Sequence, residues 1–352
     1  MKSFAYCSMP ASAYSEECRR LQSRIHEHKG RLDALREAHA DPLARLESRA
    51  LLDNVDASAR IDGICLDPRR IQELIDGSEP LTAREQQAAG YARTLRAFAA
   101  EPDRFAIDAS TFLAMHTVLT GGAPTGKKSA YRKKDHVDMI MDGQVRRVPA
   151  SPVPAFETPL YLGSACDNLA QAFAEHHSDR LLLIPAFAVD VMCIKPFDEG
   201  TGRLARLFSL LLMAKSGFDV FRYASIDRLC EQSAADYYAA LNACLATWDG
   251  PACDYSPFAL LWLRMVDRAY AGLFQLMSDG NAAKTGAPSP KSQQVRELFA
   301  FRSSPMTKAQ VVAALPDVSL STVENALRAL VAEGYLVKLG QGRSTAYVRA
   351  QD

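Results

Sequence analysis

The sequence predicts a mainly α-helical protein that carries one small β-hairpin and ends in a helix–helix–helix–wing module. Apolar residues make up 48% of the 352 residues, which is enough to bury a large core. Apolar side chains recur at the helical period in almost every segment. The exception is Val137–Val148, where apolar residues alternate on both sides of Asp142-Gly143, a strong signal for a hairpin.

Helices are predicted where the helical apolar period is bounded by glycine, proline or capping residues. In chain order they are Ala44–Ile61, Pro68–Ile75, Ala83–Ala99, Ser110–Leu119, Pro159–Glu175, Arg180–Ile194, Thr201–Lys215, Ala234–Ala246 and Pro257–Met277. Prolines at positions 149, 152 and 154 end the strand pairing of the hairpin.

The stretch Ser278–Pro290 is rich in Gly, Pro, Ser and Asn, which is typical of a linker. It divides the chain into an N-terminal helical extension (1–100), a helical core (101–277), the linker (278–290) and a C-terminal domain (291–352). In that last domain, helices precede two short strands around a glycine-rich turn, the order of a winged helix. Its predicted elements are Gln293–Ala300, Lys308–Leu315, Ser319–Glu333, Leu336–Leu339 and Ala346–Val348.

Charge and cysteine usage narrow the class of protein. The formal net charge is zero, so no global basic field favours non-specific binding to nucleic acid. The eight cysteines form no CxxC pair, which suits a reducing compartment. Met1–Pro10 lacks the apolar segment of a signal peptide, and the apolar run Leu181–Ile194 is too short for a membrane span. We therefore expect a cytoplasmic protein without membrane contact.

The loop Lys195–Gly200 and the helix after it combine the features of a polyphosphate site. Gly200 and Gly202 allow backbone amides to approach a ligand closely, and the positive end of the helix faces the loop. Arg203 and Arg206 share one helix face and could grip phosphates. Glu199 is placed to hold a Mg²⁺ ion that bridges phosphates. The same residues also fit a plain joint between two helices with a solvated arginine face.

The segment Lys195-Pro196-Phe197-Asp198-Glu199-Gly200-Thr201-Gly202-Arg203-Leu204-Ala205-Arg206 resembles the signature of the Fic family, His-x-Phe-x-(Asp/Glu)-Gly-Asn-Gly-Arg-x-x-Arg. The approach Ile194–Phe197 is similar to the family's Ile-His-Pro-Phe. Gly126–Arg132 resembles the segment that leads into the family's flap hairpin, and Leu113–Leu119 resembles a core helix. The resemblance covers roughly residues 40–280 and implies a Fic helical core, with the hairpin as flap and the winged helix as an appendage.

The resemblance implies a nucleotidyltransferase that moves AMP from ATP to a hydroxyl of a target protein. By position in the motif, Glu199 would bind Mg²⁺ and the amides of Gly200, Thr201 and Gly202 would cradle the α-phosphate. Arg203 would hold the β-phosphate and Arg206 the γ-phosphate. Phe197 would anchor the loop, and the flap Val137–Val148 would align the target segment as an added strand.

Two residues depart from the family signature. Lys195 stands where the family has its general base, histidine, and a normal lysine has a pKa of about 10.4. We expect Arg203 and Arg206 to lower that pKa, and Asp198 and Glu199 to raise it. Loss of a general base costs on the order of 10²–10⁴-fold in rate.

Thr201 replaces an asparagine and exchanges an amide contact near the α-phosphate for a hydroxyl. We therefore expect AMP transfer to be weak, absent or altered. The alternative is a catalytically silent Fic pseudoenzyme that acts as a nucleotide-responsive, DNA-binding regulator.

Ser58-Ala59-Arg60-Ile61-Asp62-Gly63 resembles the inhibitory element (Ser/Thr)-x-x-x-Glu-(Gly/Asn) of many Fic proteins, with Asp62 in place of the glutamate. In the family this carboxylate pairs with the second motif arginine and blocks the γ-phosphate site. Asp62 is one methylene shorter, so a weaker restraint on Arg206 is expected. An ordinary helix end with Gly63 as the residue after the cap is the other interpretation.

The C-terminal domain could contact DNA through a recognition helix with Ser321, Thr322, Asn325 and Arg328 on its polar side. Winged helices also serve as protein contacts, and the sequence leaves both open. Further candidates are the basic residues Lys338, Arg343 and Arg349 for phosphate contact, His136 as a substitute base, and Tyr237 and Tyr238 as sites of self-modification. The sequence leaves homo-oligomerisation open as well.

Overall fold

The structure is a computed structural model of the chain. It describes residues 4–8, 15–36, 39–120, 129–141, 144–149, 153–175, 179–249, 253–282, 290–300, 305–315, 318–340 and 345–350. The chain divides into two compact units, Met1–Ala271 and Gly272–Asp352. No helix in the described ranges is both long and apolar enough to cross a membrane.

Helices dominate the structure, as the sequence predicts. The helices are α1 (Glu16–Leu35), α2 (Ala40–Ile61), α3 (Pro68–Ile75), α4 (Ala83–Ala100), α5 (Ala109–Leu119), α6 (Thr158–Glu175), α7 (Arg180–Ile194), α8 (Thr201–Lys215), α9 (Ile226–Gln232), α10 (Ala234–Leu245), α11 (Ser256–Ala282), α12 (Pro290–Ala300), α13 (Lys308–Ala314) and α14 (Leu320–Ala332).

Helices α1 and α9 are additions to the predicted set. The signal for α1 is present in the sequence, because Cys18, Leu21, Ile25 and Leu32 repeat at helical spacing and all are buried. Helix α11 continues to Ala282, inside the predicted linker, and residues 283–289 lie outside the described ranges.

Helices α7 and α8 form the centre of the first unit. Almost every residue of both is buried, including polar positions, so apolar side chains surround each helix on all sides. Asp179 caps the start of α7 by accepting the Leu181 N–H. The two helices are joined by the loop that carries the predicted phosphate site.

A buried carboxylate on α7 ties distant segments to this centre. Asp190 accepts hydrogen bonds from the Tyr6 hydroxyl, from Trp248 Nε1 at 2.7 Å and from the Tyr255 hydroxyl at 2.8 Å. A buried charge is tolerated when donors replace its lost water, and here three donors do so. The node fixes the N-terminal segment on the helix that ends one residue before Lys195.

The predicted hairpin is present as β1 (His136–Met141) and β2 (Gln144–Pro149). The strands pair antiparallel, with Val137 opposite Val148 and Ile140 opposite Val145. The turn residues Asp142 and Gly143 lie outside the described ranges. After β2, the next described residue is Val153, which precedes α6.

The second unit packs its helices against a small antiparallel sheet. Strands β3 (Met306–Thr307), β4 (Leu336–Leu339) and β5 (Ala346–Arg349) run in the order β3–β5–β4. Its buried core includes Val295, Phe299, Val311, Val323 and Leu327. Residues 341–344 lie outside the described ranges, so the winged-helix interpretation stays a prediction.

The Asp190 node yields a stability prediction. Tyr6→Phe removes one donor and leaves the buried carboxylate less well solvated, so the free energy of unfolding should fall by about 1–3 kcal/mol. Urea unfolding measures the change. The matched control is Tyr238→Phe, because that tyrosine is 41% exposed and its hydroxyl can keep its water. Equal stability of Tyr6→Phe and the control would contradict the role of the node.

Candidate active site

The loop between α7 and α8 begins and ends in left-handed backbone. Lys195 has φ 46° and ends α7, and Gly200 has φ 76° and precedes α8. Glycine adopts this conformation without a steric cost, whereas a residue with a Cβ does not. Among the described residues, Lys195 is the only residue other than glycine that has a positive φ. Such strain persists only where neighbouring contacts hold it in place.

Arg132 supplies those contacts. Its Nε donates to the Lys195 carbonyl at 2.7 Å, and its backbone N–H donates to the Pro196 carbonyl at 2.9 Å. The two terminal nitrogens donate to the carbonyls of Lys134, at 2.8 Å, and of Val153. The side chain is buried. Sequence reasoning placed Arg132 in the segment before the flap but missed this role, since nothing local marks a partner so distant in the chain.

An aromatic stack fixes the middle of the loop. Phe197 is buried, and its ring lies parallel to that of His116, with the centroids 3.9 Å apart. Tyr131 extends the stack, with its centroid 6.0 Å from that of Phe197. His116 Nε2 lies 3.0 Å from the Glu199 carbonyl, and Nδ1 lies 2.7 Å from the Ser129 hydroxyl. Burial lowers the pKa of His116, which favours the neutral ring that donates to Glu199 and accepts from Ser129.

The start of α8 differs from expectation at Thr201. Its hydroxyl is buried and donates to the Phe197 carbonyl at 3.4 Å, within the loop itself. The expected hydroxyl contact to an α-phosphate is therefore not offered in this conformation. The backbone N–H of Leu204 bonds to the Gly200 carbonyl at 3.0 Å, so the amides of Thr201 and Gly202 belong to the first, open turn of the helix.

Arg203 is held on the side of α2 and α4. It is 6% exposed; Nη2 lies 2.6 Å from Asp62 Oδ2, and Nη1 donates to Gln87 Oε1 at 2.8 Å. Its Nε is buried without a hydrogen-bond partner in the described part of the chain. An unsatisfied buried donor is costly, and an additional acceptor beside this guanidinium would relieve it.

Arg206, 5% exposed, is shared between α2 and α9. Nε lies 3.0 Å from Asp227 Oδ1, and Nη2 lies 3.2 Å from the Ser58 hydroxyl and 3.4 Å from Asp62 Oδ1. Burial alone would lower the pKa of Arg206, but Asp62 and Asp227 outweigh it and raise the pKa. The remaining nitrogen, Nη1, lies beside Gly202 in the first turn of α8, since a Cβ placed on Gly202 would lie 3.6 Å from it.

Asp227 is a site residue that the sequence did not reveal. It is buried, and it accepts from the Tyr91 hydroxyl and from Arg206. Its backbone N–H donates to Asn54 Oδ1 at 3.3 Å, which links α9 to α2. Burial raises the pKa of the Asp227 carboxyl, and the Arg206 charge opposes that shift. No recognisable motif surrounds Asp227, so only the fold could identify it.

The segment predicted to be inhibitory, Ser58–Gly63, lies at the end of α2, where Asp62 contacts both motif arginines. Asp62 ends α2, and Gly63 follows with φ 73°, the left-handed conformation that commonly terminates a helix. The cap and the arginine contacts therefore coexist in one structure. From the sequence we expected Asp62 to pair with Arg206. Its closest partner is instead Arg203. Ser58 contributes its hydroxyl and its carbonyl to Arg206 from the same helix.

Lys195 is half-buried and has no ion pair among the described residues. Burial lowers its pKa, and the positive charge of Arg132 lowers it further. We expected the motif arginines to lower this pKa, whereas the cation that lowers it is Arg132. The expected opposing effect of Asp198 and Glu199 is not among the causes of the shift.

The acidic residues of the loop could bind a metal ion only together with a ligand that supplies further oxygen atoms. Asp198 and Glu199 are exposed, and the described residues contain no group of three or more His, Cys, Asp or Glu side chains arranged to hold a metal ion. Mg²⁺ is commonly bound by one or two carboxylates together with substrate phosphates, so one loop carboxylate fits such a shared ion.

The structure describes only some of the remaining residues for which the sequence suggested a function. Tyr237 is buried, whereas Tyr238 is partly exposed. His136 lies in β1, but its side chain falls outside the described set. In the second unit, Arg349 donates to the Ala300 carbonyl at 3.0 Å and so supports its own fold. Arg343 lies outside the described ranges.

The fold of the chain is that of Fic proteins of known structure. A Fic family protein from Desulfovibrio desulfuricans G20 aligns with a TM-score of 0.58 and 18% identity, over 96% of this chain and 97% of that one. Fic-1 (residues 134–508) from C. elegans aligns with a TM-score of 0.59 and 18% identity, over 75% of this chain and 73% of that one.

A Fic-domain signalling protein from Bacteroides thetaiotaomicron aligns with a TM-score of 0.55 and 16% identity, over 78% of this chain and 100% of that one. No curated protein sequence is significantly similar to this chain. The sequence itself matches the Fic/DOC family over residues 106–213, the region that contains the hairpin, the loop and both motif arginines. Residues 106–213 of the chain are therefore identified as a Fic/DOC family domain.

Proposed function

We propose that this protein binds the phosphates of ATP at the start of α8 and transfers AMP to a hydroxyl of a target protein, at a rate reduced by the replacement of the motif histidine by Lys195. One observation carries the proposal. The carboxylate of Asp62 bridges Arg203 and Arg206, at 2.6 and 3.4 Å, beside the open amides of a helix N-terminus. An anion of the protein itself thus occupies the position that an anionic ligand would take.

The contacts behind the two arginines support exchange of that anion. Gln87 and Asp227 contact nitrogens of Arg203 and Arg206 other than those that face Asp62, so both guanidinium groups keep a partner when Asp62 leaves. A phosphate in its place would gain charge-assisted hydrogen bonds from nitrogens that are already oriented. It would also offer an acceptor near the unpaired Nε of Arg203.

Mg²⁺ and the target protein complete the proposed site. Glu199 would hold Mg²⁺ together with the nucleotide phosphates, and the ion would neutralise the charge of those phosphates. The hairpin Val137–Val148 would align the target by adding a strand to its edge, which places a hydroxyl beside the loop. Asp135 accepts the Ala155 N–H at 2.6 Å and so connects the base of the hairpin with the segment before α6.

Removal of the Asp62 charge should strengthen ATP binding. Asp62→Asn keeps the shape of the side chain but loses the ion pairs with Arg203 and Arg206, and we expect ATP–Mg²⁺ to bind about tenfold more tightly, equivalent to about 1.4 kcal/mol. Isothermal titration calorimetry measures the affinity. The matched control is Asp76→Asn, because Asp76 also ends a helix and also precedes a left-handed glycine, Gly77. Unchanged affinity in Asp62→Asn would contradict the restraint.

Arg203→Ala, made in the Asp62→Asn protein, separates phosphate binding from a general change in the fold. It should weaken ATP–Mg²⁺ binding by about 10–100-fold, the usual loss for a charge-assisted pair. Arg24→Ala is the control, since Arg24 is exposed and pairs with Asp267 on another face. If both substitutions leave the affinity equal, the assignment of the phosphate site is wrong.

A second candidate function, a DNA-binding regulator without transfer activity, has support from the second unit. Ser321, Asn325 and Arg328 on α14 are exposed, as a recognition helix requires. Glu324 is paired with Lys308 at 2.6 Å, which reduces its repulsion of DNA phosphates.

The DNA-binding hypothesis predicts a salt-dependent contact through Arg328. Arg328→Ala in the full chain should reduce by about 1 the slope of log K against log salt for a duplex DNA probe. Arg268→Ala, an exposed arginine of the first unit, should leave the slope unchanged. Absence of binding by the unmodified chain at low salt would favour a protein partner for this unit.

A further inference from the structure

Lys195 differs from the other lysines of the described chain. Lys29, Lys215 and Lys308 each lie within 4.0 Å of a carboxylate, at 2.8, 3.6 and 2.6 Å respectively. The remaining lysines whose side chains are described, Lys133, Lys134 and Lys338, are exposed. Lys195 alone in this set is half-buried and lacks a carboxylate partner. An ammonium ion in such a place loses hydration and gains no counter-ion, so burial lowers the pKa of Lys195 and raises the share of neutral amine.

The backbone at Lys195 is fixed as well as strained. Its left-handed conformation, with φ 46°, is retained by the Arg132 clamp on the carbonyls of Lys195 and Pro196. A strained residue that its surroundings hold firmly is a frequent feature of catalytic loops. Arg132 also places a second cation close to the amine, which is one of the two common ways to activate a lysine as a nucleophile, burial being the other.

The position of Lys195 matters as much as its state. It opens the loop whose other end is the amide cradle at Gly200–Gly202, and the two motif arginines lie one turn further along α8. By the motif assignment, a nucleotide held by those groups would have its α-phosphate at the loop. A lysine there is a poor general base by comparison with histidine, but a neutral amine is a strong nucleophile.

We infer that Lys195 is a covalent nucleophile that takes the nucleotidyl group from ATP onto its side-chain nitrogen before the group passes to a hydroxyl. The inference rests on the proposed function, because it requires ATP at this site. It explains how a Fic domain could transfer AMP without the motif histidine. A two-step route does not require the target hydroxyl to be deprotonated while ATP is the donor.

The two steps balance. In the first, the lone pair of Lys195 Nζ attacks the α-phosphorus, and the bond from that phosphorus to the oxygen that bridges to the β-phosphate breaks. Pyrophosphate leaves with the bonding pair, and the amine gives up a proton to water. In the second, the target hydroxyl attacks the same phosphorus, the P–N bond breaks, and the released amine takes up the proton of the hydroxyl.

The test is to incubate the full-length Asp62→Asn protein with ATP labelled at the α-phosphate and Mg²⁺, and to map the label by mass spectrometry. We expect a nucleotidyl group on Lys195, through a bond that is labile in acid and stable in alkali. Lys195→Arg should reduce labelling at least tenfold, whereas Lys215→Arg, the matched change at the end of α8, should retain it. Labelling should accelerate as pH rises, since only the neutral amine reacts.

Calorimetry on the same proteins separates the two claims. If Asp62→Asn fails to bind ATP, the proposed function is wrong. If it binds ATP but Lys195 carries no label, or if label appears only on a hydroxyl, the covalent role of Lys195 is overturned while the binding site stands. Should Lys195→Arg lose ATP binding as well, the mapped position of the label in the protein that retains Lys195 decides the question.

Discussion

Two arginines buried side by side set the main electrostatic constraint on this structure. Arg203 and Arg206 are 6% and 5% exposed, and neither charge could be buried without an anion beside it. Asp227 serves Arg206 alone, and Asp62 serves both. Because Asp62 is at a helix end and Asp227 is deep in the core, the first can be exchanged for a ligand more easily than the second. In the proposed function, Asp62 is thus the replaceable anion and Asp227 the permanent one.

The supports of the arginines reach far into the first unit. Asp227 is held by Tyr91 from α4 and by Asn54 from α2. Helix α2 is itself fastened to α9 by Arg228, which lies 2.7 Å from Asp56 and 3.4 Å from Asp53. Release of Asp62 therefore does not require α2 to leave. We expect that a rotation of the Asp62 side chain at the end of the helix is enough to free both arginines.

The loop Lys195–Gly200 is held independently of these charges. Arg132 grips its first carbonyls, and Phe197 lies in a stack with His116 and Tyr131. A loop fixed by packing and backbone hydrogen bonds keeps its geometry whichever anion sits on the arginines. The proposed phosphate binding and the proposed chemistry at Lys195 should therefore be separable by substitution.

The local parts of this site could be predicted from sequence, and the distant parts could not. Lys195–Arg206 is one continuous segment whose glycines and arginines carry their chemistry in their spacing, and the helices around it follow the apolar period. Arg132 and Asp227 act across contacts between segments far apart in the chain, which no local pattern encodes.

The position of Asp62 shows the same limit. Because aspartate is shorter than glutamate, the sequence suggested a weak contact between Asp62 and Arg206. The placement of α2 against α9 and α4 brings Asp62 closest to Arg203 instead. Helix α1 is a different case, because its apolar residues do repeat at the helical period. The many polar residues between them made that period hard to recognise.

The most direct test of the account is a crystal structure of the Asp62→Asn protein with Mg²⁺ and an ATP analogue that cannot be cleaved between the α- and β-phosphates. The account predicts phosphate oxygens within hydrogen-bond distance of Arg203 and Arg206, in the place of the Asp62 carboxylate, with Gln87 and Asp227 still bound to the two arginines. A nucleotide bound elsewhere, with both arginines untouched by phosphate, would contradict it.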